Sequence, residues 1–359
     1  MNLKKKASFG AHRLKNEWRM SMRKVKACLL GFGGIGRAHL RAYHQLKERN
    51  APVELVAICD VNAEQFSRAV SIELDAGKSV DASRLHFYTD AEEMIAKEKP
   101  DVVDICLPSY LHEEATIKML RLGCHVLCEK PMALSSDACG RMIAAAEETK
   151  KTLMIGQCLR FCPAYLYMKD AIDTERYGKV CYAHFKRLSV LPLWGFDQWF
   201  VDHNRSGGCI MDLHIHDVDM IRFLFGEPKF VSSICAERPN KLQVVNSRFD
   251  YGNGTLIVAD GCWGEAKTRP FEAVCRIRLG RAEFVCDGRN VTVYPDEGDV
   301  FCPELEAKSP IAEEILCLCN SVLGQSVTSC ISPVEASKTI ALLEKLRDSA
   351  DGNGTPVRC

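Results

Sequence analysis

A chain of 359 residues has room for two domains of about 150 residues each, and 47% apolar with 26% charged residues is the balance of a folded globular protein. Lys+Arg and Asp+Glu both number 47, so the zero formal charge argues against a whole-chain nucleic-acid binder, and no apolar run reaches the roughly 18 residues of a membrane span. The 19 cysteines are odd in number, include no CxxC pair and follow no secretory leader; free thiols in a reducing compartment, the cytoplasm, are expected, mostly packed as small hydrophobes.

Residues 1–22 form a basic extension (Lys4, Lys5, Lys6, Arg13, Lys15 and Arg19 against the single acid Glu17), expected to be disordered, with Met20 or Met22 as candidate true starts. Apolar strand-like runs and helical patterns then alternate. A strand over Val25–Leu30 leads through glycines to a helix over 36–48, and a strand over Val53–Cys59 leads to a helix over 63–74. Thr89-x-x-Glu92 reads as a capping box before the next helix, followed by a strand over Val102–Leu107 and a helix from His112 that stops at Gly123. A strand over His125–Cys128, a helix over 137–150 and a strand over 152–156 complete a unit expected to span 23–157. Strict alternation of this kind predicts a parallel, doubly wound sheet.

Past Cys158 the pattern changes to strands over 180–190, 230–236, 243–250, 255–261, 271–279 and 283–286, joined by turn signals such as Tyr251-Gly-Asn-Gly254 and Gly280-Arg281. The fold class is therefore α/β: a Rossmann sheet followed by a second α/β unit, 158–331, with an open, mostly antiparallel sheet. Helices over 311–323 and 333–347 close the chain, the second N-capped by Ser332 with Pro333 in its first turn.

Gly31-Phe32-Gly33-Gly34-Ile35-Gly36 follows a strand and opens a helix, the context in which GxGxxG cradles a pyrophosphate. Asp60 ends the second strand, where a carboxylate accepts ribose hydroxyls and repels a 2′-phosphate, so NAD is expected rather than NADP. Glu129-Lys130-Pro131 lies at the C-terminal end of a parallel strand, where such sheets place their ligands. Asp212, His216 and Asp219 fall within about 60° on one helix face at 100° per residue, a spacing that lets an acid orient an imidazole. Aromatic residues from Trp194 to Phe200 precede the Gly207-Gly208 turn, and with Trp199 they suit the face of a sugar ring.

These motifs, with Leu107-Pro108-Ser-Tyr-Leu-His112 and Arg160-Phe161, resemble the glucose–fructose oxidoreductase / myo-inositol dehydrogenase / MocA family over nearly the whole chain from Arg23. The resemblance implies hydride transfer between a nicotinamide and a hydroxyl carbon of a sugar, cyclitol or related polyol. Lys130, Asp212 and His216 would be catalytic, with His216 the general base. Pro108, His112 and Glu129 would border the cofactor, and Lys130, Arg160, Trp199, Asp212 and His216 the substrate. It also implies that the closing helix, 332–349, returns to the first unit, and that a homo-oligomer, dimer or tetramer, forms through the sheet face. No metal, nucleic-acid or membrane partner is expected. Two other readings stand beside this one: a non-catalytic NAD-sensing regulator on the same fold, and a metal-dependent hydrolase using His214 and His216.

Overall fold

The computed structural model describes residues 23–67, 84–237, 243–327 and 330–359. The basic extension with its candidate starts, and the expected 63–74 helix beyond Ser67, lie outside the described residues.

Near-continuous apolar runs form the first sheet: β1 (Val25–Leu30), β2 (Val53–Cys59), β3 (His86–Tyr88), β4 (Val102–Ile105), β5 (His125–Glu129) and β6 (Leu153–Gly156). Every pairing is parallel, in the order β3-β2-β1-β4-β5-β6. Strands buried on both faces need helices on both sides. These are α1 (Gly34–Glu48), α2 (Glu64–Ser67), α3 (Ala91–Glu98), α4 (His112–Arg121) and α5 (Ser136–Thr149). Helix α3 begins one residue later than expected, because the Asp90 carboxylate, rather than Thr89, accepts the Glu93 N–H at 2.7 Å. The chain order reverses between β1 and β4, and the crevice above that point is where such sheets bind ligands.

The second sheet follows α6 (Pro163–Asp173) and contains β7 (Val180–Ser189). The helices α7 (His203–Ser206), α8 (Gly208–Asp212) and α9 (Ile215–Phe225) come next. The strands β8 (Phe230–Glu237), β9 (Gln243–Asp250), β10 (Leu256–Trp263), β11 (Glu272–Leu279), β12 (Ala282–Cys286), β13 (Val291–Pro295) and β14 (Val357–Arg358) complete it. Its order is β13-β12-β11-β7-β10-β9-β8-β14, antiparallel throughout except where β7 meets β10. Along β9, buried Val245, Ser247 and Phe249 alternate with outward Val244, Asn246 and Arg248, so one face packs on helices and the other is open.

Two late helices tie the sheets together. α10 (Pro310–Val322), expected within the second unit, packs instead on α1, with Arg49 paired to Glu313 at 2.5 Å. α11 (Pro333–Asp351) lies between α5 and β8; its Glu344 accepts the Ser136 N–H at 3.0 Å and its Ser349 accepts the Ser233 N–H at 3.0 Å. One expectation about cysteine fails. Cys317 on α10 and Cys330 form a disulfide, their Cα atoms brought to 5.9 Å by the turn between α10 and α11, whereas most of the others are buried free thiols.

Candidate active site

The glycine loop sits on top of β1. Gly31 takes φ +94°, and a Cβ there would come within 2.6 Å of the Cys106 carbonyl oxygen, so only glycine fits between β1 and β4. A Cβ on Gly36 would meet the Gly31 carbonyl, whereas the Cβ positions of Gly33 and Gly34 face open space. The N-cap of α1 is Gly33, with no side chain capping the helix, so the first-turn N–H groups and the positive end of the helix dipole face that space. This cradle fits a dinucleotide pyrophosphate. Ile35 is partly exposed on the same turn. Phe32, expected to border the cofactor, turns its side chain into a core of Leu29, Leu40 and Ile58. Its N–H donates to Asp60 Oδ2 at 2.7 Å. Asp60 Oδ1 accepts from Asn62 N at 2.9 Å, and these two bonds fix the carboxylate at the end of β2.

Across the switch point, Pro108 caps a short 3₁₀ turn over Ser109–Leu111. His112 is buried between the Pro131 carbonyl (2.7 Å from Nδ1) and the Leu107 carbonyl (2.8 Å from Nε2), and burial holds its pKa below the ordinary value, so the neutral ring donates its single N–H to one of the two. It thus clamps the loop after β4 to the loop after β5 and presents neither nitrogen to a ligand. The Lys130–Pro131 peptide is cis. Glu129 is buried, and its Oε2 accepts the Lys130 N–H at 3.1 Å. Lys130 reaches across to the second unit, where Nζ donates to the Asp212 carbonyl at 2.9 Å and to Asp212 Oδ1 at 3.1 Å.

The expected single helix through 212, 216 and 219 is broken. Leu213 and His214 keep right-handed helical dihedrals between α8 and α9, but the hydrogen-bond ladder slips there, the His214 N–H reaching the Cys209 carbonyl five residues back at 2.9 Å. Asp212 is hydrogen-bonded to Lys130 and not to His216. His216 is half-buried, has no hydrogen-bond partner among the described residues, and is held well below its ordinary pKa by burial and by the charges of Lys130 and Arg187. Asp219 does not join them: both its oxygens accept the Arg160 fork, at 2.7 and 2.8 Å, and Oδ1 also accepts from Thr339. That fork corrects the reading of Arg160 as a substrate ligand, since its Nε and one terminal nitrogen are committed inside the protein. Trp199 is corrected likewise, being buried and stacked on Phe200 at 4.0 Å, with Trp263 edge-on to Phe200. His214 is enclosed beneath Gly261, its Nε2 bonded to Ser247 Oγ at 2.9 Å, and burial pushes it down to about 4. Neither His214 nor His216 belongs to a metal-compatible cluster among the described residues, which removes the geometry the hydrolase reading needs.

Sequence reasoning missed the groups beneath Lys130. His39 is fully buried between Asp104 (2.8 Å) and Glu129 (2.8 Å), and the Gln157 amide nitrogen after β6 is buried without a partner among the described residues. The signal was present for Asp104, a charge in the middle of the apolar run Val102–Leu107.

Residues 25–157 match the model of an oxidoreductase family with an NAD-binding Rossmann fold, and 165–286 match that family's C-terminal domain. Inositol 2-dehydrogenase of Rhizobium meliloti (strain 1021) is 31% identical over 241 residues, 65% of this chain and 64% of that protein. D-glucoside 3-dehydrogenase of Escherichia coli (strain K12) is 28% identical over 251 residues, 68% and 67% of the two chains. The chain spans 50–64% of the length of the first curated relatives it matches. Levoglucosan dehydrogenase, solved with NADH and levoglucosan, shares the fold at TM-score 0.77 and 21% identity, over 94% of this chain and 99% of that one. With both of the family's domains matched in order, the chain belongs to the Gfo/Idh/MocA family of oxidoreductases.

Proposed function

We propose that the protein is an NAD-dependent dehydrogenase acting on a CH–OH carbon of a sugar, cyclitol or related polyol. One observation carries the reading: Lys130 from the end of β5 and Asp212 from α8 meet at 2.9–3.1 Å where the two units face each other, beside a half-buried His216 with no hydrogen-bond partner among the described residues. A bound nicotinamide supplies the hydride acceptor. The chain's own groups supply the rest. Lys130 orients and polarises a hydroxyl oxygen, Asp212 holds the lysine in place, and His216, kept neutral by burial and by nearby cations, takes the hydroxyl proton. Asp60, fixed by two backbone N–H bonds, favours the free ribose hydroxyls of NAD over a 2′-phosphate.

The open face of the second sheet carries Ile234, Val244, Leu256 and Tyr294, exposed by 64%, 45%, 41% and 44%, and supports a homo-oligomer, dimer or tetramer. No helix among the described residues is long and apolar enough to cross a membrane. A cytoplasmic location is part of the same proposal. The test is a spectrophotometric screen of sugars, sugar acids and inositols with NAD and NADP. Reduced nicotinamide formed with at least one polyol, and faster with NAD, is the expected result. NAD binding without turnover across the panel would instead establish the sensor.

A further inference from the structure

The side chain of Glu314 has no place in the reading above. It lies on the face of α10 that buries Ala312, Ile315, Leu318 and Cys319, is fully enclosed, and has no hydrogen-bond partner for either carboxyl oxygen among the described residues. A carboxyl group at such a position works against packing, and its survival there points to chemistry. It faces a continuous row. Asp104 Oδ2 meets His39 Nδ1 at 2.8 Å, His39 Nε2 meets Glu129 Oε1 at 2.8 Å, and Glu129 Oε2 accepts the Lys130 N–H at 3.1 Å. Polar atoms of His39, Glu129 and Glu314 all lie within 4.8 Å of one another.

Two carboxyl groups thus bond one imidazole and a third lies beside it, all of them buried, and the three cannot all be charged together. Burial and the neighbouring Glu129 push Glu314 well above the carboxylate range. Burial alone would lower His39, but Asp104 outweighs it and holds the ring well above its ordinary value. Burial also opposes Glu129, yet the His39 bond and the charges of His39 and Lys130 keep it below the usual range. The other titratable groups facing this space are Tyr43 on α1, Cys106 after β4, Cys158 after β6 and Cys319 on α10, all pushed upward by burial and so neutral.

We infer that His39 and Glu314 are positioning residues for the Glu129–Lys130 segment, sharing with Asp104 one buried array of protons. The array fixes the Glu129 carboxyl and, through its bond to the Lys130 amide, the direction in which the lysine leaves β5. Its catalytic consequence rests on the dehydrogenase reading. The same three side chains have the spacing of a metal site, but direct 2.8 Å contact between His39 and Glu129 is hydrogen-bond length and favours a proton.

The test uses the full chain. Infrared spectra in H₂O and D₂O at neutral pH should contain an isotope-sensitive band of a protonated carboxylic acid that Glu314→Gln lacks. Identical spectra would overturn the inference, as would stoichiometric zinc or manganese lost in Glu314→Gln. On the polyol that is oxidised, Glu314→Leu and His39→Gln should lower kcat about tenfold or more, leave the KM for NAD within about threefold and displace the pH profile, and Glu314→Gln should recover the loss. An unmoved profile, or parallel loss in kcat and KM unrescued by the amide, would overturn the positioning role. The infrared band does not depend on turnover. A substrate screen without activity but with the band present leaves the proton array supported and removes the dehydrogenase reading alone.

Discussion

Single side chains carry the sharpest consequences. Among the described residues Lys130 joins the glycine-loop unit to Asp212, so Lys130→Met removes that link and, on the proposed reading, the polarising group. Turnover should fall on the order of 10³-fold while NAD affinity, which the proposed reading assigns to the glycine loop and Asp60, stays within a few-fold; steady-state kinetics with a fluorescence titration of NAD checks both. His214 gives a pH signature of stability instead. Burial lowers its folded pKa to about 4, below the unfolded value near 6.5. Between those values the unfolded chain binds the proton and the folded one does not. Its contribution is therefore complete above about pH 6.5 and is lost as pH falls toward 4, by up to about 3 kcal/mol. Urea unfolding of His214→Gln between pH 4.5 and 7 should show a flatter acid limb than the wild type.

Elements decide which of those side chains meet. The slip at Leu213 and His214 separates α8, whose Asp212 bonds Lys130, from α9, which carries Asp219 into the Arg160 fork. That pair is buried, with the Asp219 side chain 1% and Arg160 12% exposed. Asp219→Ala strands a guanidinium and should cost about 3–5 kcal/mol in chemical denaturation. The helix break also marks the limit of what the sequence made legible. Apolar runs announced β1 and β2 to the residue, and alternation announced β9, because a strand buried on both faces leaves a dense apolar run and one buried on a single face leaves a period of two. β3, β13 and β14 are too short or too exposed to leave one. The spacing of 212, 216 and 219 continues helical periodicity straight through the break, since nothing between Gly208 and Ile215 forbids a helix. Arg160 and Trp199 misled for another reason: a guanidinium or an indole suits a sugar and a buried partner equally well, and only tertiary contacts choose between them. His39 and Glu314, 275 positions apart in the chain, could not have been joined without the packing of α10 on α1.

At the scale of the molecule, the open sheet face offers the clearest prediction. Ile234, Val244 and Leu256 sit on three neighbouring strands, β8, β9 and β10, with their side chains on the same side. Charging two of them, as Ile234→Lys with Leu256→Lys, should convert an oligomer to a monomer in light scattering without unfolding it, since neither side chain enters the core.

The placement of α10 and α11 has a consequence for biosynthesis. Both helices emerge from the ribosome only after every strand of the second sheet but β14 has been translated, yet they cover α1, α5 and the ends of β5 and β6. The nucleotide half, although first to be made, waits with an uncovered greasy flank until the last stretch of chain arrives. Premature termination anywhere before Pro333 therefore leaves a sticky fragment for chaperones rather than a working half.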